Sequence, residues 1–199
     1  MKKYDAAAIE SKWQRIWDEQ STFEAFRASV RAGLNSGASG IPFWGWDLAG
    51  FDGDIPTPEL FIRSAEMAAF CPIMQYHTAP GELNKDRTPW NLAKQTGNEK
   101  IIEIYKKYAD LRMNLLPYIT AQAELSSKTG IPLMRAMFIE YPEDKNCEEL
   151  SQQYFFGDNL LVAPVMEENC FYKDIYLPDG LWMNLFNGQT EKGGRFLKL

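Results

Sequence analysis

The chain has 199 residues, enough for one ordinary domain or slightly more, and 45% of them are hydrophobic and 14% aromatic. This composition supports a packed globular core and argues against intrinsic disorder. A net charge of −6 argues against nucleic-acid binding through a basic face, and no apolar run approaches the length of a membrane span.

The cysteines indicate a reduced protein. Cys71, Cys147 and Cys170 are far apart and odd in number, and none belongs to a Cys-x-x-Cys pair or another metal-site spacing. The first residues, Met-Lys-Lys-Tyr-Asp, lack the apolar stretch of a signal peptide. We therefore expect buried thiols, no bound metal, no membrane segment and a cytoplasmic location.

Two amphipathic helices are predicted at the N-terminus. In residues 1–26, apolar side chains such as Trp13 and Trp17 recur at helical spacing. Residues 27–37 repeat this pattern, and Gly37 is suited to end the second helix.

The first of these two segments resembles the extreme N-terminus of leucyl-tRNA synthetase. The resemblance rests on Lys-Tyr-Asp-x-x-Ala-Ile-Glu-x-Lys-Trp-Gln-x-x-Trp and covers only residues 1–26. The nucleotide-binding His-x-Gly-His motif of that family is missing, since His77 is the only histidine. A synthetase-related protein is therefore the weakest functional hypothesis, and an added surface helix is the simpler interpretation.

Gly40–Phe51 reads Gly-Ile-Pro-Phe-Trp-Gly-Trp-Asp-Leu-Ala-Gly-Phe. The apolar first half predicts a strand buried on both faces, and Asp47 then opens a loop rich in glycine and aspartate. A carboxylate at the carboxyl end of a buried strand is where α/β barrels place their chemistry. A core strand followed by a polar turn is the alternative interpretation.

The middle of the chain predicts helices around one long loop. Thr57-Pro58-Glu59 is a helix start, and that helix is expected to run to about Phe70. Cys71–Trp90 is predicted as a loop. Asn98–Thr129 has helical periodicity, with a kink at Pro117 and an end at Gly130.

The last third of the chain predicts mainly strands. The expected elements are a strand over Ile131–Glu140, a short helix around Cys147–Tyr154, and then short strands over 160–165, 171–177 and 182–186. Gly157-Asp158-Asn159, Pro178-Asp179-Gly180 and Asn187-Gly188 are turn signals between them. Regular short strands separated by such turns favour the beginning of a β-sandwich.

Several motifs, in order along the chain, resemble glycoside hydrolase family 31, whose members include α-glucosidases and α-xylosidases. They are Gly40–Phe51, the Phe-x-Pro-x-x-x-x-His pattern of Phe70–His77, Arg87–Trp90, Leu111–Tyr118, Gln153–Val165 and Tyr176–Trp182. The resemblance covers about residues 27–199 and implies a packing role for Leu111–Tyr118.

The resemblance implies an α/β fold, the C-terminal portion of a (β/α)8 TIM barrel followed by the beginning of an all-β sandwich domain. Residues 1–26 would be an unrelated helical segment, residues 27–155 the last strands and helices of the barrel, and residues 156–199 a truncated sandwich. A complete barrel needs about 250 residues. We therefore expect a fragment with open sheet edges and poor solubility.

The resemblance also implies a sugar-binding site. Asp47, as a hydrogen-bond acceptor, and Phe51 would border the sugar pocket, with Trp44 on the preceding strand. His77 would hydrogen-bond a hydroxyl of the sugar, because a neutral imidazole offers one donor and one acceptor. A structural histidine is the alternative interpretation of His77.

No catalytic residue is predicted within the chain. Retaining glycosidases need two carboxyl groups about 5–5.5 Å apart. The resemblance places both aspartates on loops that precede the part of the family aligned with Arg27, and residues 1–26 carry no matching motif. Asp47 paired with Asp52 or Asp54 is a much weaker alternative, because carboxylates on such a loop usually cap backbone amides.

The predicted function is therefore that of a fragment of a retaining, exo-acting α-glycosidase. The parent enzyme would hydrolyse terminal α-linked glucose or xylose from oligosaccharides, without a cofactor, and this chain alone would be inactive. The alternative is a non-catalytic carbohydrate-binding remnant, which sugar binding without turnover would favour. Arg135 and Glu140 are either pocket residues or an internal ion pair.

Overall fold

The computed structural model describes residues 22–50, 53–77 and 86–199. The predicted N-terminal helix therefore lies outside the described residues, apart from its last few positions, and so do Phe51 and Asp52. The helices are α1 (Thr22–Ala38), α2 (Pro58–Ala68), α3 (Pro89–Thr96), α4 (Lys100–Asn114), α5 (Leu116–Thr129) and α6 (Met137–Glu140). The strands are β1 (Met134–Ala136), β2 (Tyr154–Phe156), β3 (Leu160–Val162), β4 (Asp174–Leu177), β5 (Leu181–Met183), β6 (Thr190–Lys192) and β7 (Arg195–Lys198).

Two helices begin with a threonine cap followed by proline. The hydroxyl of Thr57 accepts a hydrogen bond from the amide of Leu60 at 3.3 Å, which confirms the predicted start of α2. Thr88 caps α3 in the same way, through the amide of Asn91 at 3.3 Å. Helix α3 was not predicted, although its Thr-Pro start is the same signal.

The predicted long helix over 98–129 is two helices that meet at Leu115. Pro117 lies in the first turn of α5, where its missing N–H is not needed, so the chain breaks at this point instead of kinking. The side chain of Asn98 accepts a hydrogen bond from the amide of Lys100 at 3.2 Å, at the start of α4. Gly130 ends α5 in the left-handed conformation, with φ of 77°, as predicted.

The predicted second helix is confirmed as α1, which ends one residue beyond Gly37. A side-chain carbon at Gly37 would lie only 3.0 Å from the carbonyl oxygen of Met134 and from Cβ of Pro132. Glycine is therefore required here for the close approach of α1 to the segment around β1, and not as a helix end.

The strand predicted for the first half of Gly40–Phe51 is wrong as a regular strand. Residues 41–46 carry no strand assignment, and Asp47 forms a single parallel bridge with Gln75. Ile41 and Phe43 are exposed, whereas a strand in the middle of a parallel sheet is buried on both faces. This segment pairs on one side with residues 73–75, so the apolar run is only partly covered.

The strands form three small antiparallel sheets, β1-β2-β3, β4-β7 and β5-β6. The predicted strand over 131–140 is shorter than expected, because β1 passes directly into α6 after three residues. The helix predicted around 147–154 is also wrong, since a 3-10 turn at Lys145–Cys147 is followed by β2. The three predicted turns are confirmed by the positive φ angles of Gly157, Gly180 and Gly188.

The main hydrophobic core lies between the helices and the β1-β2-β3 sheet. It includes fully buried side chains from each layer, such as Phe26, Phe61, Leu92, Ile101 and Tyr154. A second, smaller cluster joins Phe155 of β2 to Tyr176 of β4. None of the described helices is long and apolar enough to span a membrane.

Arg135 belongs to an internal ion-pair cluster. Its guanidinium is 3% exposed, contacts the carboxylate of Glu140, and lies 2.9 Å from Oδ1 of Asp158. Its Nε also donates to the carbonyl of Pro132 at 2.7 Å. The structure therefore supports the ion-pair interpretation of Arg135 and Glu140, and the cluster links β1 to the turn that follows β2.

Candidate sugar-binding site

Two neighbouring segments, residues 44–50 and 73–77, form the candidate site. The backbone of Leu48 donates to the carbonyl of Gln75 at 3.0 Å, and the amide of Ile73 donates to the carbonyl of Trp44 at 3.1 Å. The side chain of Gln75 donates from Nε2 to Oδ1 of Asp47 at 2.6 Å. This amide thus fixes one carboxylate oxygen of Asp47, whose backbone is held by the parallel bridge.

The chain turns sharply just after Asp47. The amide of Gly50 donates to the carbonyl of Asp47 at 2.7 Å, and Ala49 and Gly50 have φ angles of 57° and 86°. A non-glycine residue in this left-handed region is uncommon and strained by about 1–2 kcal/mol. Local strain of this kind is typical of functional loops, so it motivates a closer look at what holds the turn in place.

The buried guanidinium of Arg87 holds this loop. Its Nη1 donates to the carbonyl of Ala49 at 3.0 Å, and its Nη2 donates to the carbonyls of Asp54 at 2.9 Å and Gly53 at 3.5 Å. Arg87 is only 2% exposed. Its acceptors precede and follow residues 51–52 in the chain, so one side chain fixes the backbone at Ala49 and at Asp54.

The two tryptophans of the first segment pack against α1. Trp46 stacks on Phe26, with ring centroids 5.0 Å apart and planes 5° from parallel. Trp44 is half-buried and lies against Gly33, where a Cβ atom would approach the indole to 2.7 Å. Sugar contact by Trp44 stays a prediction, and the structure shows that its ring also packs on a helix.

His77 is exposed and follows Gln75 by two residues. The start of its segment is fixed by Arg112 of α4, which donates to the carbonyls of Cys71 at 2.7 Å and Pro72 at 2.8 Å. Arg112 also reaches two carbonyls at the C-terminal end of α2, where a positive charge interacts favourably with the helix dipole. Burial lowers the pKa of Arg112.

The buried thiol beneath this segment is not a nucleophile. Cys71 Sγ lies 3.8 Å from the hydroxyl of Tyr154, and burial raises the pKa of Cys71 to about 12. A thiol with such a pKa is almost entirely protonated at neutral pH and therefore unreactive. Among the residues that the structure describes, no group of three or more His, Cys, Asp or Glu is placed to hold a metal ion.

The structure thus brings Asp47 and the His77 segment to neighbouring backbones, while Phe51 and Asp52 lie outside the described residues. The carbonyl of Asp54 accepts a hydrogen bond from Arg87. Neither Gln75 nor the role of Arg87 was predicted from the sequence. A glutamine two residues before a candidate histidine, and an arginine just before a Thr-Pro helix start, were the available signals.

A cavity of about 330 Å³ lies elsewhere, between α2, α4 and the β3 and β5 regions. Its lining is largely apolar and includes Met67, Phe70 and Trp182. Neither Asp47 nor His77 lines it, so this cavity and the candidate sugar-binding site are separate.

Two family models match the chain. The model of the glycosyl hydrolases family 31 TIM-barrel domain matches residues 7–122, and that of the family's C-terminal domain matches residues 130–199. A barrel portion followed by a β domain is therefore the correct coarse architecture. The leucyl-tRNA synthetase resemblance gains no support, because the barrel model already begins within residues 1–26.

Characterised relatives are similar over most of this chain. An isomaltosyltransferase of Sporosarcina globispora is 50% identical over 92% of this chain and 17% of its own length. A 1,3-alpha-isomaltosidase of Kribbella flavida is 43% identical over 89% of this chain and 25% of its own length. An alpha-glucosidase and an alpha-xylosidase are among the further relatives, each 32% identical.

A solved structure shows the same arrangement. The cycloalternan-forming enzyme of Listeria monocytogenes, in complex with a pentasaccharide substrate, superposes with a TM-score of 0.86 at 46% identity. The match covers 90% of this chain and 17% of that enzyme. The chain thus spans about a sixth to a quarter of the length of these relatives.

Proposed function

The chain belongs to glycoside hydrolase family 31, and from this we propose that it forms part of an enzyme acting on α-linked gluco-oligosaccharides, with an isomaltosyl unit as the preferred group. The sequence motifs alone do not distinguish terminal glucose from xylose. The identities of 50% and 43% to isomaltosyl-acting relatives, against 32% for the alpha-glucosidase and the alpha-xylosidase, favour isomaltosyl. We further propose that the strands from residue 156 onward begin a β-sandwich.

The pairing of the Asp47 and Gln75 segments is the observation that supports a sugar site here. It places a carboxylate with one fixed oxygen beside the segment that ends at an exposed histidine. Carboxylate and imidazole groups both hydrogen-bond hydroxyls, and a charged acceptor gives the stronger hydrogen bond.

In this proposal the described residues bind and orient the sugar. Gln75 holds Oδ1 of Asp47, so that Oδ2 accepts a hydrogen bond from a sugar hydroxyl. His77 makes a second polar contact, and Trp44 and Phe51 supply the apolar wall against which a sugar ring packs. A pocket of this kind, with a few convergent polar groups on an aromatic lining, is typical of small-molecule sites.

The chemistry needs two further carboxyl groups, one as nucleophile and one as acid and then base. We propose that aspartates preceding the part of the family aligned with Arg27 supply them, and that no cofactor takes part. After the covalent glycosyl intermediate forms, attack by water completes hydrolysis and attack by a sugar hydroxyl completes transfer. Asp47 takes part in neither step.

Sugar binding by the 199-residue chain tests the proposal. We expect isomaltose to bind more tightly than maltose in an NMR titration, and Asp47→Asn to weaken isomaltose binding about tenfold or more. Hydrogen bonds to charged groups are worth about 1.5–3 kcal/mol, and about 1.4 kcal/mol corresponds to a factor of ten. Asp110→Asn, on the exposed face of α4, is the matched control and should bind as the parent does.

Absence of isomaltose binding by the folded chain, or equal binding by Asp47→Asn, would contradict the proposed site. Turnover of an aryl α-glucoside by the chain alone would contradict the placement of the catalytic pair. Sequencing the genomic region upstream of the codon for Arg27 then separates the alternatives. An in-frame segment with both aspartates favours the enzyme, and a continuous gene without them favours the binding remnant.

A further inference from the structure

We propose that Arg87 is a positioning residue that sets the affinity of the candidate sugar site by fixing the loop after Asp47. This inference rests on the proposed sugar-binding function and extends it to a residue that contacts no substrate. Arg87 acts through the backbone carbonyls of Ala49, Gly53 and Asp54 and not through its own contact with sugar.

The geometry of Arg87 supports this role. Its two terminal nitrogens donate to different carbonyls. Nη1 donates to the carbonyl of Ala49 at 3.0 Å, and Nη2 donates to that of Asp54 at 2.9 Å. In the chain, these two residues stand before and after the predicted sugar contact Phe51. The planar fork of a guanidinium suits such a two-sided contact, whereas an ammonium is a single compact point charge.

The loop that Arg87 fixes has a backbone that needs support. Ala49 and Gly50 both have positive φ angles, and for Ala49 this conformation is strained. Strained conformations persist only where the surroundings over-determine them. Without the guanidinium, the turn after Asp47 gains conformational freedom. The entropy cost of ordering this turn then weakens sugar binding.

Two other arginines also donate to backbone carbonyls and allow a comparison with Arg87. Arg112 contacts carbonyls at the end of α2 and fixes the start of the His77 segment. Arg63 donates to the carbonyl of Cys170 at 2.9 Å and pairs with Glu66 at 3.1 Å, beside the separate cavity. Arg63 therefore offers a matched control, because it makes a long-range carbonyl contact outside the sugar site.

The test compares Arg87→Lys, Arg87→Gln and Arg63→Lys in the 199-residue chain. Amide hydrogen exchange is followed at Leu48 and Gly50, whose amides are hydrogen-bonded, and isomaltose affinity is measured by NMR titration. For both Arg87 variants we expect exchange about tenfold faster at these amides and isomaltose affinity at least about tenfold lower, with α2 and α4 protection retained. Arg63→Lys should change neither readout. Arg87→Lys keeps the charge and stem, so it carries the test if Arg87→Gln does not fold.

The outcomes distinguish a failure of the Arg87 inference from a failure of the proposed sugar-binding function. Faster loop exchange with unchanged isomaltose affinity makes Arg87 a structural residue and overturns the inference, while the proposed function stands. Unchanged exchange in the Arg87 variants overturns the inference directly. If the parent chain itself does not bind isomaltose, the proposed function fails, and the inference falls with it, whatever the exchange shows.

Discussion

The helical region and the last strands bury their apolar side chains very differently. In α1, α2 and α4, the side chains of Phe26, Phe61 and Ile101 are completely buried. Around β4–β7, Phe171 is 89% exposed and Phe196 is 59% exposed. Large apolar side chains thus stabilise the helical region by burial, whereas around β4–β7 some of them remain exposed to solvent.

The difference follows from how each element covers its neighbours. Amphipathic helices bury one face against one another, so α1–α5 and the β1-β2-β3 sheet share one core. Two-stranded sheets such as β4-β7 and β5-β6 cover little surface, and isolated hairpins are marginally stable. Exposed apolar groups on such sheets favour association with other surfaces, in keeping with the poor solubility that the sequence predicts.

The largest expected effect comes from truncating a buried aromatic side chain of the helical region. Phe26→Ala should lower the free energy of unfolding by about 3–5 kcal/mol, because it removes a buried ring and its stacking on Trp46 and leaves a cavity. Urea unfolding followed by tryptophan fluorescence measures this change.

The matched variant in the strand region is Phe171→Ala, which should change the free energy of unfolding by about 0.5 kcal/mol or less, since the ring is exposed. Similar losses for both variants would show that the last strands are covered in solution and would remove the contrast between the two regions.

The ion-pair cluster of Arg135 at the edge of the helical region gives a smaller, pH-dependent effect. The hydrogen bond from Gln122 lowers the pKa of Asp158, and Arg135 lowers it further. A carboxyl with a pKa below its unfolded value of about 3.9 stabilises the fold above that pH, and this contribution is lost as pH falls through the folded-state pKa. Asp158→Asn should therefore destabilise the chain by roughly 0.5–1 kcal/mol at pH 6 and by much less near pH 2–3.

Urea unfolding at the two pH values checks this prediction, with Asp110→Asn as the control for an exposed ion pair. In Asp158→Asn, Arg135 still pairs with the carboxylate of Glu140, which limits the loss of stability. A difference between parent and Asp158→Asn that persists unchanged at the lower pH would show that the carboxylate charge is not what stabilises the Arg135 cluster.

The smallest effect concerns the cysteines, which differ in burial between the two regions. Burial raises the pKa of Cys71 to about 12 and that of Cys147 to about 11, while Cys170 is only half-buried. A thiol with a raised pKa has less reactive thiolate at pH 8. We expect Cys170 to react first with a thiol reagent in the native chain, and all three cysteines to react in denaturant.

Absorbance of the thiol that the reagent releases follows the reaction over time. Cys170→Ser should abolish the fast phase of this reaction. A fast phase that persists in that variant would mean that Cys71 or Cys147 becomes accessible more readily than its burial implies.

Local signals predicted much of the fold correctly. The start of α2, the end of α5 and the turns at Gly157, Gly180 and Gly188 depend on residues within a few positions of each other. The strands were predicted less well, because strand formation needs a distant partner. The segment before Asp47 has strand-like residues but lacks the neighbours that would bury both of its faces.

In the candidate site, too, local motifs predicted some residues, whereas the long-range contacts emerged only from the structure. Motifs identified Asp47 and the His77 segment, and family membership followed from the order of those motifs. The hydrogen bond from Gln75 to Asp47 spans 28 residues, and that from Arg87 to Ala49 spans 38. A local pattern can single out Gln75 or Arg87 but not the distant residue that each one contacts, so neither contact could be predicted from the sequence alone.

The sequence by itself therefore determined the family, the start of α2, the end of α5 and the turns of this protein, because caps, periodicity and glycine conformation act between neighbouring residues. The tertiary structure alone decided which carbonyls Arg87 holds, that Arg135 forms an internal ion pair, and which apolar strands remain open. Those outcomes depend on burial and on hydrogen-bond partners far apart in the chain, where the protein must satisfy each buried polar group.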